Sequence, residues 1–60
     1  MTNDTITIRI ERVDTSFGTY ARLWKGNRYE QVYARFLLDK MEEVNRVYNA
    51  CGMAVVFELM

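Results

Sequence analysis

Apolar and polar residues alternate near the start of the chain, which is the pattern of a half-buried strand. Ile6, Ile8 and Ile10 occupy every second position, with polar residues between them. Side chains of a strand point alternately to opposite faces, so the three isoleucines share one face. We predict a first strand over about residues 5–12, followed by a turn over Asp14–Gly18.

A second alternating stretch, over about residues 19–25, has an ambiguous buried face. One face carries Ala21 and Leu23, and the other carries Tyr20, Arg22 and Trp24. We assign Ala21 and Leu23 to the core, because a buried arginine without a partner is costly. The opposite assignment stays open at this point, and the chosen one leaves the two aromatic rings partly exposed.

The apolar spacing then changes to steps of three and four, which is the periodicity of a helix. These positions are Tyr29, Val32, Tyr33, Phe36, Leu37, Met41, Val44, Tyr48 and Cys51. Asn27 with Glu30 matches the capping pattern of a helix start, and Gly52 matches a helix stop. We predict one long helix over about residues 28–50.

A last alternating stretch predicts a strand over about residues 53–59. The order β-β-α-β indicates an α+β fold in a single domain, residues 1–60. The simplest arrangement is a three-stranded antiparallel sheet in the order 2-1-3, with the helix packed on one face. One helix covers one face only, so the other face is left to solvent or to a partner.

Composition narrows the function classes. Eight basic and eight acidic residues give a net charge of zero, which removes the general electrostatic argument for binding nucleic acid or a membrane surface. One cysteine and no histidine make neither an intrachain disulfide nor a zinc site, and we expect no metal and no cofactor. Self-association is the remaining way to supplement the core of so short a chain.

We expect a non-catalytic, cytoplasmic protein without a small-molecule substrate. Cys51 lies at the helix end that does not favour a thiolate, and we predict a buried small residue there. A thin domain can hardly build the concave pocket that catalysis needs. The opening Met1–Asp4 has no basic segment followed by an apolar run, so we expect no signal peptide. No apolar run is long enough to span a membrane. A single cysteine suits a reducing compartment.

The uncovered sheet face is the candidate partner-binding site. Its predicted contact residues are Arg9, Tyr20, Arg22 and Trp24. Aromatic residues and arginine concentrate at protein interfaces, so we expect an unidentified protein as the partner. The same residue types on an exposed sheet also stack the bases of single strands, so a small nucleic-acid-binding protein is the alternative.

The last strand is expected at a sheet edge, where free backbone groups can pair with another strand. We predict self-association as a homodimer through Val56, Glu58 and Met60. A third hypothesis makes the chain a structural subunit of a larger assembly, in which the same surfaces are simply buried.

A chain of 60 residues that opens Met1-Thr2-Asn3-Asp4 and contains a hairpin, a helix and a final strand resembles the small accessory proteins of temperate, lambda-like bacteriophages. Those proteins are encoded in the early regions of the phage genome, and the resemblance covers the whole chain. It implies a protein that binds a host factor and alters replication, defence or regulation without catalysis. The function expected from the sequence is therefore a non-catalytic protein–protein interaction module.

Overall fold

A computed structural model describes residues 4–60 of the chain. The elements are β1 (Asp4–Thr15), β2 (Gly18–Lys25), β3 (Arg28–Tyr33), a 3₁₀ turn (Ala34–Phe36), α1 (Leu37–Ala50) and β4 (Met53–Leu59). The predicted α+β class is confirmed. Residues 1–3 lie outside the described residues. The prediction about the opening segment and the start of the predicted domain fall on them.

The prediction of a three-stranded sheet was wrong, because the segment taken as the first turns of the helix is a strand. Residues 28–33 form β3, and α1 begins only at Leu37. Lys25 pairs with Arg28, so Gly26 and Asn27 form a two-residue hairpin turn. Gly26 has a φ of 62°, as in hairpin turns with glycine at the first central position. Asn27 therefore lies in this turn and does not cap a helix.

The strands are ordered β3-β2-β1-β4 in a mixed sheet. The first strand lies between the second and the last, but β3 occupies the edge beyond β2. The prediction of an antiparallel sheet throughout was also wrong, since β1 and β4 are parallel. The extra strand explains this difference: β3 reverses the chain once more, α1 returns it to the starting end, and β4 then runs in the direction of β1.

The neighbours of β1 are staggered along it. β2 pairs with residues 9–15 of β1, whereas β4 pairs with residues 4–10. Within β1, only Arg9 and Ile10 have a paired neighbour on both sides. The domain is consequently elongated, with dimensions of 47 × 20 × 15 Å.

The core is small and lies between the middle of the sheet and α1. Its buried residues are Ile8, Ile10, Ala21 and Leu23. The assignment of Ala21 and Leu23 to the core is confirmed. Leu37, Met41 and Val44 pack onto this cluster from the helix side, but no residue of α1 is fully buried. The helix therefore acts as a partial cover.

An ion pair attaches α1 to the edge strand β3. The half-buried Lys40 binds the carboxylate of Glu30 and lies 3.4 Å from that of Glu43. The hydrogen bond to Glu30 raises the pKa of Lys40, although desolvation acts in the opposite direction. Because the folded-state pKa is the higher one, this contribution to stability is fully present below the ordinary lysine pKa of 10.5. It is lost only as the pH rises through the folded-state pKa.

Two valines of α1 give a matched test of how the helix packs. Val44 contacts the core, whereas Val47 is 54% exposed. We expect Val44→Ala to lower the free energy of unfolding by roughly 1–2 kcal/mol, since buried methyl groups are lost. Val47→Ala should be neutral or slightly stabilising, because both changes gain the same helix propensity. Urea unfolding followed by circular dichroism measures both, and equal costs would contradict this packing.

Candidate protein-interaction surface

The sheet face turned away from α1, here called the open face, brings together side chains from all four strands. Alternation and register place on it Arg9, Glu11, Tyr20, Arg22, Trp24, Tyr29, Gln31, Tyr33, Val56, Glu58 and Met60. All four predicted partner-binding residues are in this set, and so are the three predicted self-association residues. Glu11, Tyr29, Gln31 and Tyr33 also lie on this surface and were not among the predicted site residues.

Two aromatic pairs span the boundary between β2 and β3. The rings of Tyr20 and Tyr33 stack with their centres 4.8 Å apart. The rings of Trp24 and Tyr29 lie 4.7 Å apart at a tilt of 48°. The hydrogen bond with the adjacent phenol of Tyr33 raises the pKa of Tyr20 above its ordinary value. Such cross-strand aromatic pairs stabilise a sheet and hold their rings in fixed positions.

Arg22 lies between the two aromatic pairs and is fixed from three directions. Its Nε donates a hydrogen bond of 3.0 Å to Oε1 of Gln31. Its Nη1 is 3.9 Å from Oε1 of Glu11, and its Cζ is 4.6 Å from the ring centre of Tyr29. The planar guanidinium group suits this combination of in-plane polar contacts and a ring on its face.

Glu11 connects the arginine to the tryptophan. The indole Nε1 of Trp24 donates a hydrogen bond of 2.9 Å to Oε1 of Glu11, the same oxygen that faces Arg22. One carboxylate on β1 thus orients two side chains of β2. No local motif marks Glu11, because its role arises from the residues opposite it on the neighbouring strand.

A second charge pair joins the two predicted sites into one surface. Nε of Arg9 lies 3.3 Å from Oε1 of Glu58. Both side chains are more than half exposed, so the pair adds little to stability. Beside it lie the exposed side chains of Val56, in β4, and of Met60, which directly follows β4. The backbone N–H of Met60 donates to the carbonyl of Ile10 at 2.9 Å, which continues the pairing between β1 and β4.

The concave places on the described part of the chain are open hollows. One, of about 240 Å³, lies between α1 and the β2–β3 hairpin and has Ile8, Leu23 and Val44 among its lining residues. Lys25, on its lining, donates a hydrogen bond of 2.7 Å to the hydroxyl of Tyr48. Lys40, also on its lining, is held by Glu30, so these two cations already have partners.

Cys51 is exposed, so the prediction that it is buried was wrong. It caps the C-terminal end of α1 in the turn that leads to β4, beyond the reach of the core. Within residues 4–60, no three histidine, cysteine or acidic side chains come together as a metal site.

Residues 4–60 contain no helix that is both long and apolar enough to cross a membrane. Comparison of the chain with protein-family models, with curated proteins and with solved structures gives no match.

The role of Glu11 can be tested on the chain's single tryptophan. We expect Glu11→Ala to move the indole N–H resonance of Trp24 upfield in a ¹H–¹⁵N spectrum, because its hydrogen bond to the carboxylate is lost. Glu58→Ala, which removes the other open-face carboxylate, should leave that resonance in place. An unchanged indole resonance in Glu11→Ala would show that Glu11 does not orient Trp24.

Proposed function

We propose that this protein is a non-catalytic protein–protein interaction module and that its open face binds a partner protein. The observation that carries the proposal is the cluster of four aromatic rings around Arg22. The rings belong to Tyr20, Trp24, Tyr29 and Tyr33. Tryptophan, tyrosine and arginine are the residues in which the binding energy of protein interfaces concentrates.

The cluster is held in place before any partner arrives. Gln31 and Glu11 position Arg22, and Glu11 also positions Trp24. Side chains that are already ordered lose less conformational entropy on binding, so a larger share of the contact energy remains as affinity. Towards β4, the exposed pair of Arg9 and Glu58 supplies the polar rim that such interfaces have.

The charges of the open face favour a protein over a nucleic acid. Arg9 faces Glu58 and Arg22 faces Glu11, so a phosphate would have to displace a carboxylate from either arginine. The rings also contact each other in two cross-strand pairs, Tyr20 stacked on Tyr33 and Trp24 tilted against Tyr29, and these contacts occupy ring surface that bases would need. A nucleic-acid-binding protein is the alternative function, favoured only by the residue types themselves.

The mechanism that we infer is steric: a preformed surface occludes or recruits another protein. This agrees with what the resemblance to phage accessory proteins implies, namely the modulation of a host factor. A structural subunit of a larger assembly would bury the same surface permanently, and it would fold stably only together with its neighbouring chain.

Trp24→Ala tests the proposed surface, with Phe17→Ala as the control. Phe17 is an exposed aromatic residue in the β1–β2 turn, outside the open face. We expect Trp24→Ala to weaken capture of the partner by roughly 30-fold, the effect of losing about 2 kcal/mol at a hot spot. Phe17→Ala should bind normally. The measurement is a pull-down from bacterial lysate with and without nuclease, followed by titration of the captured protein.

Three results would contradict the proposal. Capture that disappears with nuclease, or that weakens steeply with salt, would favour nucleic acid. Normal partner binding by Trp24→Ala would remove the open face as the site. If Trp24→Ala loses its helix signal, Arg22→Lys serves instead, since it keeps the charge but loses the planar contact with Tyr29. Normal partner binding by that variant would also count against the open face.

A further inference from the structure

The two edges of the sheet differ in how well they are protected. β3 forms one edge and carries Arg28 and Glu30, the latter bound to Lys40 of the helix. β4 forms the other edge, and its only charged side chain, Glu58, is engaged with Arg9 on the open face. Charged side chains are a common protection of edge strands against pairing. The edge of β4 is therefore the more open to another strand.

Every second residue of β4 directs its backbone N–H and C=O groups to this free edge. The N–H of Met60 points to β1, because it donates to the carbonyl of Ile10. Backbone groups of successive residues in a strand point in opposite directions within the sheet. The N–H and C=O groups of Val55, Phe57 and Leu59 therefore point away from β1, to the free edge.

We propose that two copies of the chain associate through these edges, antiparallel, about a two-fold axis at Val56. Val56 is the middle residue of β4, Met53–Leu59. This register places Val55 opposite Phe57 of the partner subunit, and Met53 opposite Leu59 of the partner subunit. Every outward-facing residue then meets an outward-facing residue, and the paired edges make about eight backbone hydrogen bonds.

The side chains of β4 fit this register on the helix side of the sheet. Leu59 lies beyond the cover of the helix and is 81% exposed in the single chain. In the dimer it packs beside Met53 of the partner subunit. Leu38 adds to the apolar seam from the helix. Lys40 points to β3, where it binds Glu30. Leu38 precedes Lys40 by two residues, which places it about 200° around the helix, on the side of β4. The side chain of Leu38 is 77% exposed.

The open-face side of β4 fits the same register. Val56, which is 47% exposed, meets Val56 of the partner subunit on the axis. The two Val56 residues form a pair that exchanges no backbone hydrogen bonds, and in such antiparallel pairs the two Cα atoms are about 4.5 Å apart. Glu58 lies opposite Ala54 of the partner subunit, so no two like charges face each other. The two open faces then lie side by side on the same surface of a continuous sheet.

This inference specifies the self-association that the sequence predicts, and it does not require that the open face bind another protein. It also predicts that two Trp24 clusters are displayed together, which would let a two-fold symmetric partner bind with avidity.

A cysteine on the axis tests the register directly. In a Cys51→Ser background, we expect Val56→Cys to form a disulfide-linked dimer under mild oxidation, because the expected Cα separation suits a disulfide. Thr7→Cys, on the same face but one strand further in, should not cross-link. Gln31→Cys at the other edge should not cross-link either. Cross-linking of Gln31→Cys, or none of Val56→Cys, would overturn the proposal.

A charge on the axis tests the association in solution. The wild-type chain should elute with light scattering at twice the 7.1 kDa of one chain. Val56→Glu, which sets two carboxylates against each other, should be monomeric, whereas Thr7→Glu should remain dimeric. Trp24→Ala should also remain dimeric, so a failed open face and a failed dimer are distinguished. A wild-type chain that stays monomeric at several hundred micromolar would overturn the proposal.

Discussion

A single helix of 14 residues has to cover a sheet of four strands, and most features of this protein follow from how little it covers. Only four side chains, all from β1 and β2, are buried among the described residues. The helix contributes half-buried residues and one ion pair from Lys40 to β3. Several large apolar side chains stay exposed as a result, among them Leu38 on the helix and Leu59 on β4.

The open face compensates for the thin core by a different kind of interaction. Aromatic pairs and a shared carboxylate link β1, β2 and β3 across the strands. Cross-strand pairs of this kind contribute roughly 0.2–1 kcal/mol each, and they add to the backbone pairing that holds the edge strand β3 to β2. The residues that support β3 are also the residues of the proposed partner-binding surface. Changes at Arg22 or Trp24 are therefore expected to affect stability as well as binding, in proportions that a fold control has to separate.

Much of the fold could be predicted from the local pattern of residues. Alternation located β1, β2 and β4, and the cost of burying Arg22 identified Ala21 and Leu23 as the core face. β3 was missed because Tyr29 and Tyr33, four residues apart, share one face of a helix or of a strand alike. What decides between the two is contact with Trp24 and Tyr20 on β2, which local periodicity does not contain.

One local signal could have located β3. Gly26 and Asn27 stand between two stretches rich in aromatic residues, which is typical of a two-residue hairpin turn. The missing strand also carried the error in strand direction, since one reversal fewer makes β4 antiparallel to β1. The role of Arg9, Tyr20, Arg22 and Trp24 in binding stays a prediction; as candidates on one sheet face, they were identifiable from residue type and alternation. Glu11 and Gln31 were not, because their roles depend on register.

The proposed association would cover apolar side chains that the helix leaves exposed, and it would therefore contribute to the stability of the folded chain. Urea unfolding of the wild-type protein, repeated over a hundredfold range of protein concentration, measures this contribution directly. If folding is coupled to dimerisation, each tenfold rise in concentration stabilises the folded state by about 1.4 kcal/mol, and the unfolding midpoint rises accordingly. A midpoint that stays the same over the whole range would show that the small core suffices alone, and would contradict this account.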